Sequence, residues 1–373
     1  MNNKLRYFLL FLLIAAIALV IYFAESKKPK QIESGERQEL ALTNRLAEKD
    51  KKNKYSPAIE IVRPFGFINT DEFALKDLIG KKVILVDFWT YSCINCQRTF
   101  PYLNAWHEKY KDMGLEIVGI HTPEFEFEKD YDNVVAATKK YGIKHKVVQD
   151  NDYATWKAYN NRYWPAKYLI DIDGYIVYRH FGEGMYEETE NKIIELLNER
   201  RERLGESEVV AEATRPKDAK EVDFHEIYTP ETYLGYSRIK AIANLPSTKC
   251  LGGICDYKKT GALPMNAYEL DGGWNIQPEY AESTEDTGSI IIHFSANQVN
   301  LVAGGDKQIV AEIYLDGKLI SNDFSGNDVS DGKLIFGEYD LYNLVDLKGD
   351  YGSHTLEIKA LEPGLKAFAF TFG

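Results

Sequence analysis

Cysteine is scarce in this chain of 373 residues: there are four, Cys93, Cys96, Cys250 and Cys255, in two close pairs with no thiol left over. That number is too small for a disulfide-dense scaffold, so hydrophobic cores must hold the fold, and 45% hydrophobic residues with 13% aromatics can fill them. Excess positive charge is also missing. At a net charge of -12 the chain has no basic surplus with which to displace counterions from phosphates, which argues against nucleic acid as a partner. Between Tyr7 and Ala24 charge is absent altogether.

That uncharged run, YFLLFLLIAAIALVIYFA, is 18 residues long. As a helix it would reach roughly 27 Å, close to the ~30 Å of a bilayer's hydrocarbon core. An uncleaved transmembrane signal anchor over residues 1–24 is the expectation. A cleaved signal peptide is the rival, although Tyr22-Phe23-Ala24 makes a poor small-x-small site. The flanking charges, Lys4 and Arg6 against Lys27, Lys28 and Lys30, are nearly balanced, so the orientation rests on the usual behaviour of signal anchors, which export the bulk of the chain. No cysteine lies near the run to carry a lipid. Two cysteine pairs with no leftover thiol suit the oxidising side of such a membrane.

Residues 25–56 are charged and poor in aromatics, and read as a spacer. From 57 to 205 strand and helix patterns alternate. The apolar run VILVDFW (83–89) predicts a strand buried on both faces that leads into Cys93, and a helix follows through Phe100, Leu103 and Trp106 to Gly114. LEIVGI (115–120) predicts the next strand, completing one right-handed crossover unit. A helix near 130–141, a strand at HKVVQD, a short helix at YATWKAY, two strands joined at Asp173-Gly174 and a long helix over 186–203 complete an α/β unit. Residues 206–222 read as a linker. Over 223–373, runs such as SIIIHFSA, QIVAEIYLDGKLI, HTLEIKAL and KAFAFTF are rich in β-branched and aromatic residues, and predict an all-β antiparallel sandwich.

The pair Cys93-Ile94-Asn95-Cys96 is the chemical centre. Only His107 and His121 lie near enough in sequence to complete a zinc site, and neither follows a finger or ribbon spacing, so no metal is expected and no other cofactor is called for. A structural disulfide across so small a ring would remove little unfolded-chain entropy. A C-x-x-C pair opening a helix is instead poised for thiol-disulfide exchange. Cys93, at the helix N-terminus, has free N–H groups to favour its thiolate and is the expected nucleophile; Cys96, one turn on, resolves the mixed disulfide. Cys250 and Cys255 would close a ring of six residues, a staple worth about 2 kcal/mol; a relay of electrons to Cys93 and Cys96 is the alternative.

The run VDFWTYSCINCQRTFP resembles the active-site strand, turn and helix of the thioredoxin superfamily, in its TlpA-like branch. The resemblance assigns Asp87 as a buried proton acceptor for the second cysteine, Trp89 as a packing aromatic and Pro101 as the proline within the active-site helix. Trp164-Pro165 resembles the cis-proline loop, with Pro165 lying against the cysteines and Trp164, Ile94 and Asn95 meeting substrate. His121 and Glu124, just past a buried strand, are candidates for tuning the thiol or touching substrate, or for capping a loop. GFINTDEFALKDLIGKKVILVDFWTYSCINC, HTPEFEFE (121–128) and TPETYLGYSR (229–238) resemble the exported C-terminal half of the DipZ-like family. The resemblance covers about residues 57–373, and implies a thioredoxin-like domain followed by a jelly-roll-like sandwich of the carbohydrate-binding-module type.

The implied activity is a thiol-disulfide oxidoreductase, anchored by a single pass in the cell membrane with its catalytic part outside the cytoplasm and acting on protein disulfides or dithiols. Full-length relatives carry a multi-span electron-conducting domain ahead of this half, so here a separate, CcdA-like membrane protein is the expected electron donor. Two other readings stand beside it. Thr90-x-x-Cys93 fits part of the peroxiredoxin pattern, which would make a thiol peroxidase, but Val86 stands where that pattern needs proline. A non-catalytic surface-binding protein would act through the sandwich, where Tyr233, Tyr236, Trp274 and Tyr280 are aromatics able to stack on sugars or to fill the core.

Overall fold

The computed structural model describes residues 50–206, 213, 215–220 and 222–373. The apolar run 7–24, most of the spacer and much of the linker lie outside these residues. Among the described residues no helix is long and apolar enough to cross a membrane.

The first unit contains β1 (Ser56–Pro57), β2 (Gly66–Ile68), β3 (Val83–Trp89), α1 (Ile94–Tyr110), β4 (Leu115–His121), α2 (Tyr131–Lys140), β5 (Lys146–Gln149), α3 (Ala154–Ala158), β6 (Ala166–Ile170), β7 (Tyr175–Phe181) and α4 (Tyr186–Leu204). Its sheet runs β1-β7-β6-β3-β4-β5-β2, with β3, β4 and β5 parallel and β6 and β7 antiparallel. Each element foreseen over 83–204 is present, with ends moved by a few residues.

Strand β3 lies between two cores, and its pleat deals residues alternately to each. Val83, Leu85 and Trp89 pack with Cys96, Phe100, Trp106 and Leu197 on the side of α1 and α4. Ile84, Val86 and Phe88 face the other side, with Tyr159 and Tyr168. By the same alternation Asp87, the strand's one charged residue, is delivered to the α1 side, with 0% of its surface exposed.

The end of the charged spacer already belongs to the fold. Ser56 and Pro57 pair with β7, and the Lys51 ammonium lies 2.6 Å from Asp171 and 2.9 Å from Asp173, with Glu199 also in contact. Arg203 joins the same carboxylates through Asp173 at 2.8 Å. These acids converge on cations of the chain itself, an arrangement that holds 50–57 against the first unit.

In the second unit the named strands pair antiparallel: β8 (Thr232–Tyr233), β9 (Ile254–Tyr257), β10 (Tyr268–Ile276), β11 (Ala281–Ser283), β12 (Gly288–Ser295), β13 (Gln298–Gly304), β14 (Ile309–Leu315), β15 (Lys318–Leu319), β16 (Lys333–Phe336), β17 (Asp340–Asp346), β18 (Ser353–Ala360) and β19 (Lys366–Phe372). Nine of these twelve strands join in one continuous path, β15-β14-β18-β12-β10-β11-β19-β13-β17, with β16 added on β14, β8 on β19 and β9 on β10. The sheet curls because β10 serves both limbs: Tyr268–Asp271 pair with β12, whereas Trp274–Ile276 pair with β11. Between the limbs Ile290, Ile292, Ile313, Ile358, Leu301 and Phe370 enclose one core.

The bend falls at Gly272-Gly273, where Gly272 has φ +87° and an added Cβ would lie 2.8 Å from the Thr287 carbonyl oxygen. Both facts select glycine. Gly272→Ala is therefore expected to destabilise the chain by roughly 1–3 kcal/mol, read as a lower midpoint in thermal or urea unfolding. An unchanged midpoint would show that the curl does not depend on this residue.

Of the two roles open to the aromatics of this unit, Trp274 takes the core one: it is 0% exposed and its indole N–H donates to the Asp271 carbonyl at 2.9 Å, so it offers no platform for a sugar. Cys250 and Cys255 form a disulfide between a short 3-10 turn and β9.

Candidate active site

The carboxyl end of β3 delivers the chain into a tight turn, Thr90-Tyr91-Ser92, and α1 begins immediately after Cys93. Cys93 occupies the N-cap with φ -85° and ψ 117°, and its side chain makes no capping hydrogen bond. The first-turn N–H groups are thus left facing a sulfur able to carry negative charge. Cys93 is half-buried, Cys96 is fully buried, and both are free thiols. Burial pushes the Cys96 thiol well up, and a hydrogen bond to the Cys93 sulfur and that sulfur's charge add to the effect, while the Thr90 backbone opposes it. One sulfur is reachable and the other is held back, as nucleophilic attack followed by internal resolution requires.

Behind Cys96 lies a buried pair of charges. Asp87 stands directly opposite Lys167 across the antiparallel β3–β6 ladder, so their side chains share the α1 face. Both residues are 0% exposed, and neither the carboxylate nor the ammonium has a hydrogen-bond partner among the described residues. Burial raises Asp87 to about 7, with Lys167 pulling the other way. Burial likewise lowers Lys167, while Asp87, Cys96 and Glu183 act to keep it charged. A carboxyl poised near neutrality beside a buried thiol can take up the proton that the thiol must lose.

The turn itself is tied down. The Gln97 amide donates to the Tyr91 carbonyl at 2.8 Å. Glu128, fully buried, accepts from the Ser92 N–H at 3.2 Å and the Ser92 hydroxyl at 2.7 Å through one oxygen, and from the backbone N–H groups of Glu124 and Phe125 through the other. Burial raises this carboxyl to about 6 despite those bonds.

The Trp164–Pro165 peptide is cis. The Trp164 indole N–H donates to the Thr122 carbonyl at 3.1 Å and its ring packs on Trp156 at 4.3 Å, which fixes this loop beside the end of β4. Asn95 accepts from Arg98 at 3.0 Å, and Arg98 in turn makes a buried bidentate pair with Glu183. Ile94 packs against the cluster that Phe125 forms with Val302, Leu341, Phe368 and Ala369 of the second unit.

His121 and Glu124 come out differently from a substrate-facing pair. His121 is fully buried, its ring 4.8 Å from that of Trp89 and stacked on Tyr91 at 5.8 Å; burial lowers it to about 3, so it stays neutral and packs beneath the turn. Glu124 reaches across to the second unit, pairing with Arg238 at 2.7 Å and accepting from the Tyr233 hydroxyl at 2.8 Å. Around it Phe125 and Phe127 lie within 5.1 and 4.9 Å of Phe368, and Phe127 stacks on Tyr339. The loop after β4 is thus the joint between the two units. A cleft of about 720 Å³ opens beside it, walled by Phe65, Phe127, Tyr280 and Tyr339.

Lys167 and Glu128 are functional candidates that reading the sequence did not single out. Lys167 had a signal: a lysine two residues before Leu169, in phase with the buried face of a strand. Glu128 had none, because only the fold turns the end of HTPEFEFE inward.

Comparison with known proteins agrees with this geometry. Residues 60–179 match the family profile described as "AhpC/TSA family", and residues 229–373 match "Thioredoxin like C-terminal domain". The chain is 34% identical to Protein DipZ of Mycobacterium tuberculosis over 313 residues, 83% of this chain and 41% of that protein, so it spans about two fifths of that relative's length. It is 32% identical to the thiol-disulfide oxidoreductase YkuV of Bacillus subtilis over 37% of this chain and 94% of YkuV. It is 34% identical to the thiol-disulfide oxidoreductase ResA of Bacillus cereus over 34% of this chain and 71% of ResA. A solved structure described as "Solution Structure of a Thioredoxin-like Protein in the Oxidized Form" aligns at 28% identity over 39% of this chain and 97% of that one, with a TM-score of 0.37. With a reachable Cys93 capping a helix, a buried Cys96 behind it, and YkuV matched over 94% and ResA over 71% of their lengths, the chain belongs to the thioredoxin superfamily, in the TlpA-like, DipZ-related family of thiol-disulfide oxidoreductases.

Proposed function

We propose that this protein is a membrane-anchored, extracytoplasmic thiol-disulfide oxidoreductase that reduces or exchanges disulfides in other proteins. The observation that carries the reading is the half-buried Cys93 at the start of α1 in front of a fully buried Cys96 with Asp87 behind it. The Cys93 thiolate attacks one sulfur of the substrate's disulfide; a bond forms between Cys93 and that sulfur, and the other leaves as a thiolate. Cys96 then gives its proton to Asp87 and attacks the Cys93 sulfur, which releases the second substrate thiol and leaves a Cys93–Cys96 disulfide. Two electrons pass from the pair to the substrate. A separate membrane dithiol donor, CcdA-like in kind, restores the pair.

Trp164 and Pro165, with Ile94 and Asn95, form the rim on which an extended substrate backbone rests. Anchoring rests on the uncharged run 7–24, and the disulfide between Cys250 and Cys255 fits an oxidising compartment. For the second unit we favour the sandwich of carbohydrate-binding-module type, acting as support for the first.

Catalysed reduction of insulin by dithiothreitol is the test. The chain is expected to accelerate precipitation of the insulin B chain, and Cys93→Ser to return the rate to background. Equal rates with and without wild-type protein would overturn the reading. The "AhpC/TSA family" match keeps peroxidase activity as the second reading, so thiol-dependent consumption of hydrogen peroxide is measured in parallel. Rapid consumption that depends on Cys93, without insulin reduction, would replace the first reading by this one.

A further inference from the structure

We propose that Glu128 is a positioning residue through which docking of the second unit sets the geometry of Cys93. The inference rests on the reading of Cys93 as nucleophile, and concerns how that residue is held. A single buried carboxylate joins two things that are otherwise separate. Through one oxygen it holds both the N–H and the hydroxyl of Ser92, the residue immediately before Cys93. Through the other it holds the backbone of Glu124 and Phe125.

Those two residues are the ones the second unit grips. Arg238 pairs with the Glu124 carboxylate at 2.7 Å and lies 5.1 Å from the centre of the Phe125 ring, and the Phe368 ring meets Phe125 edge-on at 5.1 Å. Glu126 extends the grip, its N–H donating to the Glu279 carboxylate at 3.0 Å. A displacement of the loop would therefore be carried by Glu128 to Ser92 and the start of α1. Ile94, the next residue after the nucleophile, touches the same interdomain cluster and closes the path from the other end.

The four hydrogen bonds leave the carboxylate little freedom: each oxygen already serves two donors, and the site admits no solvent. Replacement by Gln keeps the shape but turns an NH2 group toward one pair of donors, which breaks one half of the clamp. It also removes a negative charge near Cys93. The two consequences act in opposite directions on the thiolate: loss of positioning slows its reaction, whereas loss of charge alone would speed it.

The test uses the full chain and follows iodoacetamide alkylation of Cys93 by mass spectrometry across pH, for wild type, Glu128→Gln, Arg238→Ala and the double variant. Glu128→Gln is expected to slow alkylation by roughly tenfold, and Arg238→Ala to slow it by a smaller factor. The double variant should be no slower than Glu128→Gln alone, because both changes cut one path. Multiplying effects, or a Glu128→Gln rate equal to or above that of wild type, would overturn the proposal. Should Glu128→Gln fail to fold, Arg238→Ala decides alone: its side chain is 38% exposed, and an unchanged Cys93 rate in a chain with native near-UV dichroism rejects the coupling. Alkylation needs no turnover, so an absence of insulin reduction would sink the proposed function while leaving this measurement decisive.

Discussion

Cys96→Ser is expected to arrest the protein halfway, cutting steady-state disulfide reduction on the order of 1,000-fold while the first adduct still forms within a factor of about three of the wild-type rate. Cys93 keeps its place at the N-cap of α1 in this variant, and its approach to substrate does not involve position 96. What disappears is the group that cleaves the adduct. Cys96 is fully buried and its thiol is pushed well up, so in the proposed mechanism it attacks only after losing a proton, with Asp87, raised to about 7, as the acceptor. Resolution is accordingly expected to quicken as pH rises through about 7, where Asp87 becomes able to accept. Mass spectrometry of the stalled species should give the chain joined to one substrate molecule through Cys93. Sustained turnover by Cys96→Ser would mean that another thiol resolves the adduct; a cross-link from Cys93 to Cys250 or Cys255 would identify it and revive an electron relay between the units.

Much of this site could be read from residue order. The alternation of apolar residues in VILVDFW places Asp87 on one face of a buried strand, and the helix-opening position of Cys93 follows from where the period changes. Most of the α/β elements over 83–204 were legible because glycine, proline or a charged turn flanks them; the junction Thr90–Cys93 has none of these and shows only as the change of period. In the second unit β10 was not, since Gly272-Gly273 interrupts its apolar pattern, and the strand's role is to bend there between two limbs. The sequence leaves Trp274 open between sugar platform and core because an aromatic residue carries no mark of whether it faces water. Pairings across long separations were also silent. Nothing local in Glu124 announces Arg238, and Asp87 meets Lys167 only through the β3–β6 register, eighty residues apart in sequence.

That register leads to the second large effect. Replacing both buried charges, Asp87→Val with Lys167→Met, is expected to stabilise the folded chain by about 1–4 kcal/mol at pH 8 and to slow disulfide reduction by roughly 100-fold. Asp87 ionises at about 7 in the folded state against an ordinary value of 3.8. Below the ordinary value both folded and unfolded chains hold the proton, and stability is not taxed. Between there and about 7 the folded chain retains a proton that the unfolded chain has released, so stability falls as pH rises, and above 7 the whole penalty is present. The share of the gain that comes from Asp87 should therefore be largest at alkaline pH and shrink toward pH 5, whereas the share from Lys167, which burial lowers, does not grow with pH. Lys167→Met alone should act in the opposite direction: it strips the buried carboxylate of its counter-charge, drives Asp87 further up and destabilises the chain most at alkaline pH. Urea unfolding at about pH 5 and pH 8 separates the cases. A double variant that is less stable than wild type at both would mean that the pair is held together by more than it costs to bury, and that Asp87 is a structural anion rather than a proton acceptor kept at some expense for Cys96.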